Sequence, residues 1–76
     1  MTNNNNFTKE QLEQIELGKK ANLDVSTYAN PKYNWAQMRE IRKGLASRLD
    51  VSEYADPSYP AELMNAIRIG LIYSLH

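Results

Sequence analysis

The sequence predicts an all-α fold: three long helices with short helical turns in the linkers, arranged as a short α-solenoid-like repeat array. Three observations predict it. The chain repeats at a period of 26 residues, with Gly18, Gly44 and Gly70, Ile15, Ile41 and Ile67, and Leu23, Leu49 and Leu75 in register. A fixed period of 20–50 residues marks one supersecondary unit stacked on itself. Each copy carries an apolar stripe at helical spacing, and the first two copies share a linker phrase. That phrase is Leu23-Asp24-Val25-Ser26-Thr27-Tyr28-Ala29-Asn30-Pro31 in one and Leu49-Asp50-Val51-Ser52-Glu53-Tyr54-Ala55-Asp56-Pro57 in the other.

Taken in order, residues 1–6 form an Asn-rich tail whose polar composition predicts disorder. Residues 7–76 form a single helical repeat domain, divided into units 7–32, 33–58 and 59–76. Each unit opens on an aromatic residue, Phe7, Tyr33 or Tyr59, followed by a cap position, Thr8, Asn34 or Pro60. Thr8 with Gln11, and Asn34 with Gln37, have capping-box spacing, and the aromatic before each cap is placed for a hydrophobic staple. The staple pairs would be Phe7/Leu12, Tyr33/Met38 and Tyr59/Met64. Pro60 suits a first helical turn, where its missing N–H costs nothing.

The stripes run Leu12, Ile15, Lys19, Leu23; Met38, Ile41, Leu45, Leu49; and Met64, Ile67, Leu71, Leu75. At 100° per residue each set falls on one face, which places helices near 9–23, 35–49 and 61–75. The repeated glycines then lie inside helices, where glycine costs about 1 kcal/mol relative to alanine. A shared packing cause, a backbone or ring approaching closely, explains three equivalent glycines. The competing reading ends each helix at its glycine; the apolar period beyond it favours a continuous helix.

In the linkers, Ser26 and Ser52 can cap a single short turn, and Asn30 and Asp56 before proline favour a second. Val25, Tyr28 and Ala29, with Val51, Tyr54 and Ala55, would form the apolar side. Asp24 and Asp50 recur, but an Asp after a helix end bonds local backbone, which explains the recurrence without a carboxylate pair.

Size and composition bound the function. Seventy-six residues make at most one domain, with a marginal core and no cysteine to staple it. Nine basic and nine acidic residues cancel, which argues against a nucleic-acid mimic and weakens a general nucleic-acid binder. No signal peptide is visible, and the apolar C-terminal stretch is too short to span a bilayer and is broken by Arg68. Cysteine-free composition suits a reducing cytoplasm. His76, at the last position, is the single histidine. With no cysteine nucleophile, glycine-rich phosphate loop or clustered metal ligands, an enzyme, a cofactor site and a metal site are not expected.

The linker phrase of the second unit, together with Gln37-Met38-Arg39-Glu40-Ile41-Arg42-Lys43-Gly44-Leu45, resembles the tandem helical repeats in accessory proteins of phages and conjugative elements of Gram-positive gut and oral bacteria. The resemblance covers residues 7–76. The chain departs from the pattern at Lys19-Lys20, where the second unit has Leu45-Ala46, and at Pro60. The resemblance implies a small binding protein of a mobile element in the cytoplasm of its bacterial host. It also implies a role in anti-defence, such as inhibition of a CRISPR nuclease, and it transfers no catalytic residue.

Two sets of residues are candidate partner-binding sites. On the second helix, Arg39, Arg42 and Lys43 lie beside Trp35. If helices stack in register, Glu13 faces Arg39 and Glu16 faces Arg42 as inter-repeat ion pairs; otherwise the face contacts a partner or grips nucleic acid. On the third helix, Lys43, Ala46 and Ser47 of the second unit become Ile69, Ile72 and Tyr73. A helix apolar on two sides either tucks under its own linkers or meets another chain. A homodimer through the third helix is the favoured expectation. The predicted function is a non-enzymatic protein-binding module that blocks a partner protein. The alternative is nucleic-acid binding by the second helix.

Overall fold

A computed structural model of the chain describes residues 6–74. Three α-helices, α1 (Lys9–Lys20), α2 (Trp35–Ala46) and α3 (Ala61–Ser74), alternate with two 3-10 turns, Val25–Thr27 and Val51–Glu53. No strand occurs among the described residues, and the fold is all-α. The expected tail, apart from Asn6, and both Leu75 and His76 lie outside the described residues.

The helix starts follow the local signals. Thr8 and Asn34 each form both halves of a capping box. The Gln37 N–H donates to Asn34 Oδ1 and the Asn34 N–H to Gln37 Oε1, both at 2.8 Å. Two orphan donors are satisfied reciprocally at each start. In α3 the Pro60 carbonyl accepts from Met64 at 3.1 Å, so Pro60 stands at the cap position rather than inside the first turn.

The helix ends depart from the periodicity. α1 and α2 stop at Lys20 and Ala46, three residues before the last stripe leucines. Asn22 and Arg48 take left-handed backbone, with φ of 61° and 60°. Leu23 N–H then donates to the Gly18 carbonyl and Leu49 N–H to the Gly44 carbonyl, each at 2.9 Å. Asn22 and Arg48 donate to the Lys19 and Leu45 carbonyls, each at 3.0 Å. This is the Schellman pattern, in which a residue just past the helix closes back over the final turn. Leu49 is buried as that closing contact. The last leucine of the stripe therefore belongs to the chain reversal. The glycines lie inside the helices without serving as left-handed caps.

Packing explains two of the three glycines. A Cβ added at Gly18 would fall 2.6 Å from Val25 Cγ1 and closer still to Tyr28 Oη; at Gly44 the same holds for Val51 and Tyr54. The linker folds back so that its tyrosine lies against the preceding helix. Tyr28 Oη donates to the Gln14 carbonyl and Tyr54 Oη to the Glu40 carbonyl, each at 2.6 Å. Both rings are fully buried. Desolvation is the main cause that raises both phenol pKa values, Tyr54 to about 12. Each linker turn is set by its aspartate, not by serine: Asp24 and Asp50 accept from the N–H and hydroxyl of Ser26 and Ser52. Asn30 and Asp56 close the second turn by accepting from Lys32 and Ser58 at 2.9 Å.

α1 packs on α2 and α2 on α3 around one core of Ile15, Tyr28, Tyr33, Met38, Ile41, Val51, Tyr54 and Met64. Phe7 and Tyr59 pack against it from the helix entrances. The core is central to α2, which has Met38 and Ile41 fully buried, whereas Met64 is the one buried residue of α3.

Candidate interaction surface

The surfaces follow from how one helix hands on to the next. Two positions of α1 and α2 face the following unit with polar side chains. Gln11 and Gln37 each cap their own helix with the amide oxygen. The amide nitrogen donates onward, from Gln11 to the Tyr33 carbonyl at 2.6 Å and from Gln37 to the Tyr59 carbonyl at 2.7 Å. One turn later, Gln14 accepts from Arg42 Nε at 2.8 Å, and Glu40 accepts from Arg68 Nε at 3.0 Å and Asn65 Nδ2 at 3.1 Å. All four of these polar side chains are buried. Buried polar groups of this kind are costly unless paired, so they fix the register between helices.

Glu40 is the charged member. Burial pushes its carboxyl pKa up, but hydrogen bonds from Asn65 and Arg68 and the charge of Arg68 outweigh burial and hold it below the ordinary glutamate value.

The same positions in α3 are Leu63 and Ala66, followed by Gly70. Leu63 is 42% exposed and a Cβ on Gly70 would meet nothing within 4 Å. Leu63, Ala66 and Gly70 form one line along the helix, flanked by Tyr73, which is 74% exposed. Ile69, at 41%, borders the same side. Ile72 is partly buried, so the three residues singled out on the third helix do not share one environment. Of the five exposed large hydrophobic residues among those described, three (Leu63, Ile69 and Tyr73) are on α3.

The second candidate set is divided. Arg42 turns to α1 and bonds Gln14 rather than Glu16, and Glu16 instead pairs with Lys19 at 3.6 Å on its own helix. Arg39 does not reach Glu13. Its guanidinium carbon lies 4.9 Å from the Trp35 ring centroid, and its Nε lies 3.5 Å from Glu40 Oε2. Neither ion pair expected between α1 and α2 at a 26-residue offset forms; Arg42 instead bonds Gln14, and its counterpart Arg68 bonds Glu40, each at an offset of 28. Lys43 is exposed and Trp35 half-exposed. Beside them, Ala36, Arg39, Glu40, Ala61, Glu62 and Asn65 line a groove of about 290 Å³ between α2 and α3.

Sequence reasoning found Ile69 and Tyr73 by comparing the third unit with the second. It missed Leu63 and Ala66, although the series Gln11, Gln37, Leu63 and Gln14, Glu40, Ala66 shows the same kind of change. Among the described residues no group of three or more His, Cys, Asp or Glu is placed to hold a metal ion, and no helix is long and apolar enough to cross a membrane. No family model matches the chain, and no curated protein or solved structure is found similar to it.

Proposed function

We propose that this chain is a non-enzymatic protein-binding module, built as a short solenoid whose last helix offers an open contact face. One observation carries the reading: the positions covered on α1 and α2, by polar pairing at Gln11, Gln14, Gln37 and Glu40 and by the linker tyrosines at Gly18 and Gly44, are apolar and uncovered on α3 at Leu63, Ala66 and Gly70, with the exposed Tyr73 alongside. An uncharged, largely apolar helix face matches the composition of a protein interface core. The Trp35, Arg39 and Lys43 side of α2 supplies a second contact, with an aromatic anchor and a stacked arginine of the kind enriched at hot spots.

The setting rests on the repeat resemblance. It suggests a mobile-element protein acting in the cytoplasm of a bacterial host by covering a host protein, with inhibition of a defence nuclease as one such action. Nucleic-acid binding by α2 has weaker support, since Arg42 already serves Gln14 and Glu40 lies beside Arg39. Capture from a lysate of Gram-positive host bacteria tests the reading. Wild-type bait should retain a protein that an Ile69→Glu/Tyr73→Glu bait loses at unchanged helical content. Equal retention by both baits would contradict it, and so would retention by neither from a chain that is also monomeric.

A further inference from the structure

We infer that the open face of α3 is occupied by α3 of a second copy, in an antiparallel two-fold pair centred near position 68. This rests on the reading of α3 as a contact face and names its partner. Three observations lead to it.

The first is continuity. The equivalent faces of α1 and α2 each receive a further helix and its linker, so α3 presents the one member of the series left uncovered among the described residues. The groups that would hold a further unit of the same kind have changed, however. Leu63 replaces the glutamine that donates to the next unit's carbonyl, and Ala66 replaces the acceptor that receives its arginine.

The second is the mismatch with the other end of the molecule. Arg42 and Arg68 are the residues that reach back to the preceding helix, and Glu16 stands at their position in α1. Placed head to tail, a second copy would set the Glu16 carboxylate against Ala66, which offers its side chain no donor. Glu13, Glu16 and Lys19 are exposed, and the latter two pair with each other. The residue 26 before Tyr28 is Thr2, so the sequence carries no tyrosine at the repeat position whose ring covers Gly18 and Gly44. An open head-to-tail chain is therefore disfavoured, and a closed two-fold contact remains.

The third is self-complementarity. Leu63 and Tyr73 are symmetric about position 68, and so are Ala66 and Gly70. In an antiparallel pair, Leu63 meets Tyr73 of the second copy at each end, while Ala66 meets Gly70 at the crossing. Small residues there let the backbones approach closely. No charge lies on the line. Arg68 is turned away, with its side chain 13% exposed and bonded to Glu40, so the two arginines do not meet on the axis. Trp35, Arg39 and Lys43 lie on α2, outside this contact.

Sedimentation of the full chain from about 5 to about 200 µM tests the pair, and the Gly70→Gln variant, checked by circular dichroism, separates association from folding. Gly70→Gln adds a side chain where the isolated chain has open space, so its far-UV circular dichroism should keep the wild-type helical signal. The wild type should sediment as a dimer in the tens of micromolar. Gly70→Gln should weaken that dimer by at least about tenfold. A wild type that stays monomeric throughout overturns the pair, and so does a dimer that Gly70→Gln leaves unchanged. If the chain is monomeric and the Ile69→Glu/Tyr73→Glu bait still loses its captured protein, the pair falls alone. If capture is absent as well, the reading of α3 as a contact face falls with it.

Discussion

Gly44 and Gly70 occupy the same place in the repeat and have opposite surroundings. Around Gly44 the chain is closed: Tyr54 lies against the helix, its hydroxyl bonded to the Glu40 carbonyl, while Glu40 and Gln37 hold α3 and its entrance. Around Gly70 nothing approaches among the described residues, and Leu63 and Ala66 stand where Gln37 and Glu40 do the holding. The difference teaches that a residue recurring in a repeat is not one role repeated. Gly44 is required by what packs on it. Gly70 satisfies no packing need of the described chain, yet a glycine there weakens the helix by about 1 kcal/mol relative to alanine.

The comparison can be broken most strongly at the tyrosines. Tyr54→Ala removes a fully buried ring and its hydroxyl bond, and should lower stability by about 3–5 kcal/mol in urea unfolding followed by circular dichroism. In a protein of this size that is most of the total. Tyr73→Ala, measured at low protein concentration where association contributes little, should change stability by less than about 0.5 kcal/mol. Comparable losses from both would mean that α3 is not open where the comparison places it.

A smaller effect sharpens the same contrast at Glu40 and Ala66. Glu40→Ala leaves Arg68 and Asn65 without their acceptor in a poorly hydrated position, and should cost about 2–3 kcal/mol. Ala66→Gln, on the exposed face, should be near neutral at low concentration. The pH dependence has a definite sign. The folded-state pKa of Glu40 lies below the ordinary value of 4.5, so its contribution is fully present above that pH. It is lost as the pH falls through the lower folded value. Glu40→Gln should therefore flatten the fall in stability below about pH 4.5, as read from urea midpoints across the acid range. An unchanged acid profile would show that Glu40 does not couple α2 to α3.

How far these features were legible in the sequence depended on how local their causes are. Helix starts were legible because a capping box involves residues three apart, and Thr8/Gln11 and Asn34/Gln37 announce themselves. Helix ends were not, because the left-handed positions are Asn22 and Arg48 rather than glycines. Leu23 and Leu49 then continue the apolar count while closing the cap. The glycine packing was legible in kind, a close approach of a ring or backbone, but its absence at Gly70 was not, since only the folded chain shows what lies above each helix. The charges on α2 were misassigned because partners were taken at the repeat's own 26-residue offset. The arginines reach back by 28 instead, to Gln14 and Glu40, and periodicity does not encode which residue on the facing helix a side chain reaches. The open face was half legible. Ile69 and Tyr73 stood out as gains of apolar residues, while Leu63 and Ala66 stand out only once Gln37 and Glu40 are known to face the next helix.

Equilibrium unfolding of Gly44→Ala beside Gly70→Ala tests the contrast most directly, because both changes add one methyl group to a helical glycine at the same repeat position. A Cβ at residue 44 meets Tyr54 and Val51 and should destabilise by about 1–3 kcal/mol. A Cβ at residue 70 meets open space and should stabilise by about 0.5–1 kcal/mol at low protein concentration. Opposite signs are the predicted result; shifts of the same sign and similar size would contradict the account.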